Sequence, residues 1–379
     1  MSAMSASATR LTAAPQPQDK TIYSIQALRF IAAALVVVSH IRTEYGMAPF
    51  GSAGVDIFFV ISGFIIHYVT RNGAPQFFTR RLIRIVPLYW LGTLALGAAA
   101  LFVPSLLNQV SFSAEVLLKS LFFLPVWNEQ VQYHLPLLTL GWSLNYEILF
   151  YLIYFIALKI SHQHRLLLSS VMLVALTQLH GFVAPESMLA FWSDAYIIEF
   201  IYGMLLANLV SHPQAIDNAR LPISAALLAL AAYCYLLLPS SGLVTPAMAL
   251  DKWVRVLVIG LPSAALVMLT LAAEQSVRRL PQVLRHGINF LGELSYPIYI
   301  FHIYVMGVLK RLGALNLGMP AYIAAVAGAT LLASALVYLL YEQPARKLLS
   351  RLLLRGKGEG KRPTSPGALP PGAPLTSGA

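Results

Sequence analysis

Charge is scarce in this sequence. Only 11% of its 379 residues are Asp, Glu, Lys or Arg, against 58% hydrophobic residues, and the mean hydropathy is +0.70. A water-soluble domain ordinarily carries about 25% charged residues, so a soluble fold is excluded. Cysteine is nearly absent too. The single Cys234 leaves no disulfide framework and no cysteine-based metal centre. There is no Walker loop, no CxxC pair and no HExxH, and no metal site is expected. The opening "MSAMSASATRLTAAPQPQDK" lacks the basic start, apolar core and small-residue cleavage site of a signal peptide. It reads as part of a disordered cytoplasmic leader over residues 1–21.

Long apolar runs are what the sequence has in abundance, and they indicate helices rather than a barrel. The expected fold class is an all-α polytopic membrane protein with about ten transmembrane helices, near 22–43, 52–70, 85–104, 137–159, 166–182, 192–211, 221–238, 253–273, 289–309 and 319–341. The membrane domain is expected over 22–347, followed at 348–379 by a basic, then Gly/Pro-rich disordered cytoplasmic tail. With the N-terminus inside, only Arg42, Lys119, Lys252, Arg255, Lys310 and Arg311 of the 26 Lys and Arg residues fall outside. That asymmetry supports an even number of spans with both termini cytoplasmic. It also accounts for the net charge of +11 without a nucleic-acid partner. The segment 111–128 carries Glu115 and Lys119 at helical i,i+4 spacing and is expected as an interfacial or re-entrant helix on the outer face.

Ionisable residues within spans are costly and mark functional candidates. Here they are His40, Asp56, Glu147, Glu199, Glu293 and His302. Glu147 lies mid-span in "GWSLNYEILFYLIYF", too deep to reach water, with Ser143 and Tyr151 one turn away on its face. A protonated, interhelical Glu is one reading. Pairing with His40, which would orient the imidazole as a general base, is the other. In "LRFIAAALVVVSH" Arg29 and His40 project from nearly the same face, about 16 Å apart along a helix. Arg80, Arg81 and Arg84 cluster at the start of span 3, either as a lipid anchor or as a phosphate clamp that Arg29 joins. Gly63 in "SGF" is expected either in close helix packing or as a backbone opening beside a threaded ligand.

Taken together, "LRFIAAALVVVSH", "GVDIFFVISGFII", "RRLIRIVPLYW", "WSLNYEILFY", "LGELSYPIYIFH" and "YEQPARK" resemble, in order, the motifs of the acyltransferase-3 family of membrane acyltransferases. The resemblance spans about residues 22–347. It implies an O-acyltransferase of the bacterial inner membrane that moves an acyl group, usually acetyl from cytoplasmic acetyl-CoA, to a carbohydrate hydroxyl at the outer side. Acyl-CoA is then a co-substrate and no cofactor is bound. By matching position it implies essential roles for His40 and Glu147, and donor binding by Arg29, Arg80, Arg81 and Arg84, with Ser62 and Gly63 beside the donor. It lends support to Asp56, Trp142 and His302. Asn145, Ser143 and Tyr299 are candidate oxyanion stabilisers. Expected partners are the acyl-CoA donor, a glycan or glycolipid acceptor, the bilayer and separate glycan-assembly proteins. Direct transfer and an acyl-His40 relay both fit, as do acetyl, succinyl and other acyl groups. A secondary transporter or export protein is the competing class. It would often show related halves, and the sequence has no internal repeat.

Overall fold

Apolar runs of this length bury their backbone polar groups only as helices, and helices dominate the computed structural model. It describes residues 21–47, 51–73, 75–102, 112–210, 224–225, 228 and 252–354. The first helices are α1 (Tyr23–Glu44), α2 (Ala53–Val69), α3 (Phe77–Phe102) and the short α4 (Ala114–Leu121). A two-stranded hairpin follows, β1 (Trp127–Asn128) with β2 (Tyr133–His134). Then come α5 (Gly141–Ile160), α6 (Arg165–Thr177), α7 (Met188–Trp192) and α8 (Ile198–Val210). After 251 the chain forms α9 (Lys252–Arg255), α10 (Leu261–Ala272), α11 (Glu274–Arg278), α12 (Gln282–Arg311), α13 (Met319–Val337) and α14 (Gln343–Leu354).

Helix covers every expected span except 221–238, which falls almost wholly outside the described residues. Seven helical stretches among the described residues are long and apolar enough to cross a membrane, and α2 is a shorter apolar helix. The 30-residue α12 falls short of that apolar character because it carries Asn289, Glu293, Ser295, Tyr299 and His302. Helix α14 runs to Leu354, past the tail boundary expected at 347. Of the segment 111–128 expected as a helix, only Ala114–Leu121 is helical, as α4, with Glu115 and Lys119 2.5 Å apart and Ser113 capping Val116; the segment ends instead in strand β1, Trp127–Asn128. Lys119 holds the Glu115 carboxyl below its usual range.

Two wide turns interrupt the helical stretches, at Val256–Gly260 and Tyr338–Glu342. Each lies just before a proline, Pro262 or Pro344. A proline ring collides with the carbonyl four residues back in a regular α-helix, and a π-turn relieves that collision without ending the helix.

Glycine sets how closely the central helices approach. A Cβ on Gly63 would overlap the Phe200 carbonyl oxygen, and one on Gly203 would overlap that of Val60. Helices α2 and α8 therefore touch backbone to backbone. Likewise Gly54 sits against the Ala32 carbonyl on α1, and Gly292 of α12 against Gln26. The ligand-opening reading of Gly63 is thus corrected: its face is sealed by α8, and the neighbouring Ser62 faces the interior cavity.

Gly63→Ala and Gly203→Ala should each destabilise the detergent-solubilised protein by about 1–3 kcal/mol or more, as overpacking does. Gly328→Ala, where an added Cβ meets nothing within 4 Å, should not. Thermal unfolding of the three variants measures this.

Candidate active site

Helix α1 places Gln26 and Arg29 one turn apart, and Gln26 organises the polar groups around them. Its side chain accepts from Arg29 at 2.8 Å and donates to Asn289 at 2.9 Å and Glu293 at 3.2 Å. Glu293 also takes Arg346 at 2.9 Å, and Arg346 reaches Glu342 at 3.3 Å. Arg346 and Gln26 thus hold the direct bonds to the acids of this end, and the Arg84 and Arg29 charges act on Glu293 from farther away. Arg81 and Arg84 have neither an ion-pair partner within 4 Å nor a hydrogen bond among the described residues, and the Arg81 Nε is buried. Arg80 differs. It lies in the first turn of α3, exposed, with its Nε 3.4 Å from the Pro75 carbonyl. Of the expected Arg80/Arg81/Arg84 cluster, Arg81 and Arg84 line one cavity together with Arg29, and Arg80 does not. Arg71 stacks on Tyr68 at the rim.

These arginines open onto a cavity of about 1140 Å³. That exceeds the usual 300–1,000 Å³ of a small-molecule site. It runs from Arg71 and Asn72 past Arg29, Arg81 and Arg84 to Ser62, Glu147 and Tyr151, then to Ser143 and Tyr299 beside Phe58 and Phe59. Helices α1, α2, α3, α5 and α12 form its walls.

Glu147 stands partway along. Its Oε1 accepts from the Ser62 hydroxyl at 2.6 Å and from the Tyr151 hydroxyl. The helical stripe read from the sequence holds for Tyr151, whereas Ser143 pairs with Tyr299 at 2.7 Å. The expected bond between Glu147 and His40 is absent among the described residues. Glu147 lines the cavity and bonds Ser62 and Tyr151, whereas His40 lies outside the cavity lining, on a helix that packs chiefly on α2 and α12.

His40 has another imidazole as its neighbour. The rings of His40 and His302 meet edge to face with centroids 4.9 Å apart, and the His302 Nε2 lies 3.4 Å from the His40 Nδ1. Both side chains fold back on their own helices: His40 Nδ1 is 2.9 Å from the Val36 carbonyl, and His302 Nδ1 is 3.0 Å from the Ile298 carbonyl. A carbonyl only accepts, so each Nδ1 carries the proton. The His302 Nε2 is then a lone pair facing the His40 Nδ1–H. This fixes the His40 tautomer and leaves the His40 Nε2 unprotonated, ready to take a proton.

The other expected residues are distributed less centrally. Tyr299 ends the cavity, 6.5 Å from the His302 ring between centroids, and its hydroxyl donates to the Leu140 carbonyl at 2.9 Å. That engagement removes it as a free oxyanion donor. Trp142 belongs to an aromatic wall with Phe59, Tyr146 and Tyr196. Asn145 is buried without a hydrogen bond among the described residues and does not line the cavity. Asp56 is not a site residue by contact. Arg255 grips it through Nε at 3.1 Å and NH2 at 2.6 Å, both residues buried, with the Glu199 carboxyl adjacent. From sequence Arg255 reads as an outer-loop charge. Its place four residues into the apolar run "DKWVRVLVIG" was the available signal.

The family model of the acyltransferase domain, acyltransferase-3, matches residues 22–339. The exopolysaccharide production protein ExoZ of Rhizobium meliloti (strain 1021) is 33% identical over 313 residues, covering 81% of this chain and 91% of that protein. No solved structure matches the chain.

Breaking a buried ion pair from one side costs about 3–5 kcal/mol, because a charge is left uncompensated. Arg255→Met strands two carboxyl groups, Asp56 and Glu199, and should lower stability in detergent more than Asp56→Asn. The double variant Asp56→Asn/Arg255→Met should regain part of the loss. Thermal midpoints of the three proteins decide the order.

Proposed function

Because the chain belongs to the acyltransferase-3 family and is a membrane acyltransferase, we propose that it transfers acetyl from acetyl-CoA to a hydroxyl of an exopolysaccharide-type glycan. The reaction takes place in the bacterial inner membrane, with the donor entering from the cytoplasm and the acceptor from the outer side. The observation that carries this reading is the cavity itself. It opens at guanidinium groups that have no ion-pair partner among the described residues and ends at Ser143 and Tyr299; His40 and His302 do not line it, and the Tyr299 ring stands 6.5 Å from that of His302, which meets His40. Guanidinium forks suit phosphate oxygens, and a nucleotide thioester has its phosphates at one end and its acyl group at the other. The acceptor class follows the name of the ExoZ relative. The charge asymmetry of the sequence supports a cytoplasmic arginine mouth.

In this reaction the His40 Nε2 takes the proton of the acceptor hydroxyl as its oxygen attacks the thioester carbonyl carbon. The tetrahedral intermediate collapses with cleavage of the C–S bond, and the imidazolium returns the proton to the departing CoA thiolate. While His40 is charged, its Nδ1–H faces two acceptors, the Val36 carbonyl and the His302 Nε2. A second neutral imidazole thus does the orienting work commonly given to a carboxylate.

The test is acetyl transfer from labelled acetyl-CoA to the exopolysaccharide of the source strain by the purified full-length protein. His40→Ala should lower the rate by about 10²–10⁴, the usual worth of a general base. His302→Phe keeps a ring but removes the acceptor, and should cost about 10–100-fold in kcat, as loss of an orienting partner commonly does. Near-normal transfer by His40→Ala at normal expression would refute the reading. A separate comparison concerns the donor. Arg81→Ala should raise the acetyl-CoA KM by about tenfold or more, whereas the exposed Arg80→Ala should leave it within about twofold. An unchanged KM for both would favour a lipid-anchor role for the cluster.

A further inference from the structure

Glu147 presents a carboxylate with one oxygen used and one unused. Oε1 accepts both the Ser62 and the Tyr151 hydroxyls. Oε2 has no hydrogen bond among the described residues, and Glu147 lines the cavity. Holding the carboxylate by a single oxygen fixes its plane and leaves the other oxygen as a strong acceptor that lacks a donor. Ile61, Ile65 and Ile85 line the same cavity, and the Arg81 guanidinium, on which the Glu147 charge acts, makes no hydrogen bond to Oε2 among the described residues. A ligand threading this space would therefore be expected to supply an N–H or O–H at this level.

Resting on the acyl-CoA reading, we propose that the Glu147 Oε2 accepts a hydrogen bond from an amide N–H of the pantetheine arm and makes the site specific for an amide-bearing thioester donor. The placement suits this chemistry. The arm has two secondary amides in the middle of its length, the phosphates at one end and the sulfur at the other. Its extended length, about 15 Å at 3.3–3.6 Å per three backbone bonds, compares with the rise of about 16 Å from Arg29 to His40 along α1. Glu147 lies between the arginines and the Ser143–Tyr299 end of the cavity, one turn of α5 below Ser143. There a negative charge repels the diphosphate and keeps it at Arg81 and Arg84, while it attracts the amides. Glu147 is in this view a donor-specificity residue, with its effect on binding.

Binding of two probes to the purified full-length protein separates this from a structural role. The probes are acetyl-CoA and adenosine 3′,5′-bisphosphate, which has the nucleotide end but no pantetheine. Glu147→Gln should weaken acetyl-CoA by about 10–100-fold, the span expected for one charge-assisted hydrogen bond. It should leave the bisphosphate within about twofold. Arg81→Ala should weaken both. An oxa-analogue of acetyl-CoA, with ester oxygens in place of both amide N–H groups, supplies the cross-check. The wild type should bind it more weakly than acetyl-CoA, and Glu147→Gln should no longer distinguish the two. The proposal is overturned if Glu147→Gln weakens both probes equally, if it weakens neither, or if the wild type accepts the oxa-analogue as well as acetyl-CoA. If the wild type binds neither acetyl-CoA nor the bisphosphate, the acyl-CoA reading fails together with it.

Discussion

A bilayer offers a polar group no hydrogen-bond partner, and that constraint arranges the rest of this molecule. Each polar side chain within the helices needs a partner from another helix or a hydrated cavity. Asp56 has Arg255, Glu293 has Arg346 and Gln26, and Ser143 has Tyr299. Once these pairs are removed, the Arg81 and Arg84 guanidiniums and the second oxygen of Glu147 line the cavity without a hydrogen bond among the described residues, and the Nε2 of His40, outside the cavity lining, also has none. These atoms follow one another from the basic mouth toward the opposite end of α1. The candidate site thus gathers charged and titratable groups that the fold leaves without a bonded partner among the described residues.

The apolar packing makes that arrangement rigid. Backbone contact between α2 and α8 at Gly63 and Gly203, and of α1 with Gly54 and Gly292, leaves little freedom to slide. Without a hydrophobic drive between helices in lipid, such close approach is a main source of association. It fixes the level of Ser62 against Glu147, and of His40 against His302. The two π-turns before Pro262 and Pro344 place charges at fixed levels in the same way. One follows Arg255, and the other ends at Glu342, which meets Arg346.

Helix positions were legible in the sequence because a membrane span needs an apolar run, and periodicity within a helix was legible too. Tyr151 was expected on the Glu147 face and bonds it. Contacts between distant helices were not legible. Asp56 and Arg255 are 199 residues apart, and nothing in either local pattern names the other. The same limit misassigned the partner of His40. A buried carboxylate and a buried imidazole are each in need of a partner, but helix order around the bundle, with α2 and α12 beside α1, gave the imidazole to His302. Arg80 and Arg81 are adjacent in sequence, and only the geometry of the first turn of α3 turns one outward and the other into the cavity. The small hairpin at Trp127–His134 begins within the apolar segment 111–128 that was expected as a helix. Its visible signal was Asn128, whose side chain accepts from Gln130 and Val131 to form the turn.

The central claim is that one cavity holds the donor by its phosphates at one end and delivers its acyl group at the other. The most direct measurement is the structure of the full-length protein bound to a non-cleavable acetyl-CoA analogue. The account predicts the phosphates on Arg81 and Arg84, the arm beside Glu147, and the thioester position within reach of the His40 Nε2. A nucleotide bound away from these arginines, or an arm directed away from His40, would contradict it.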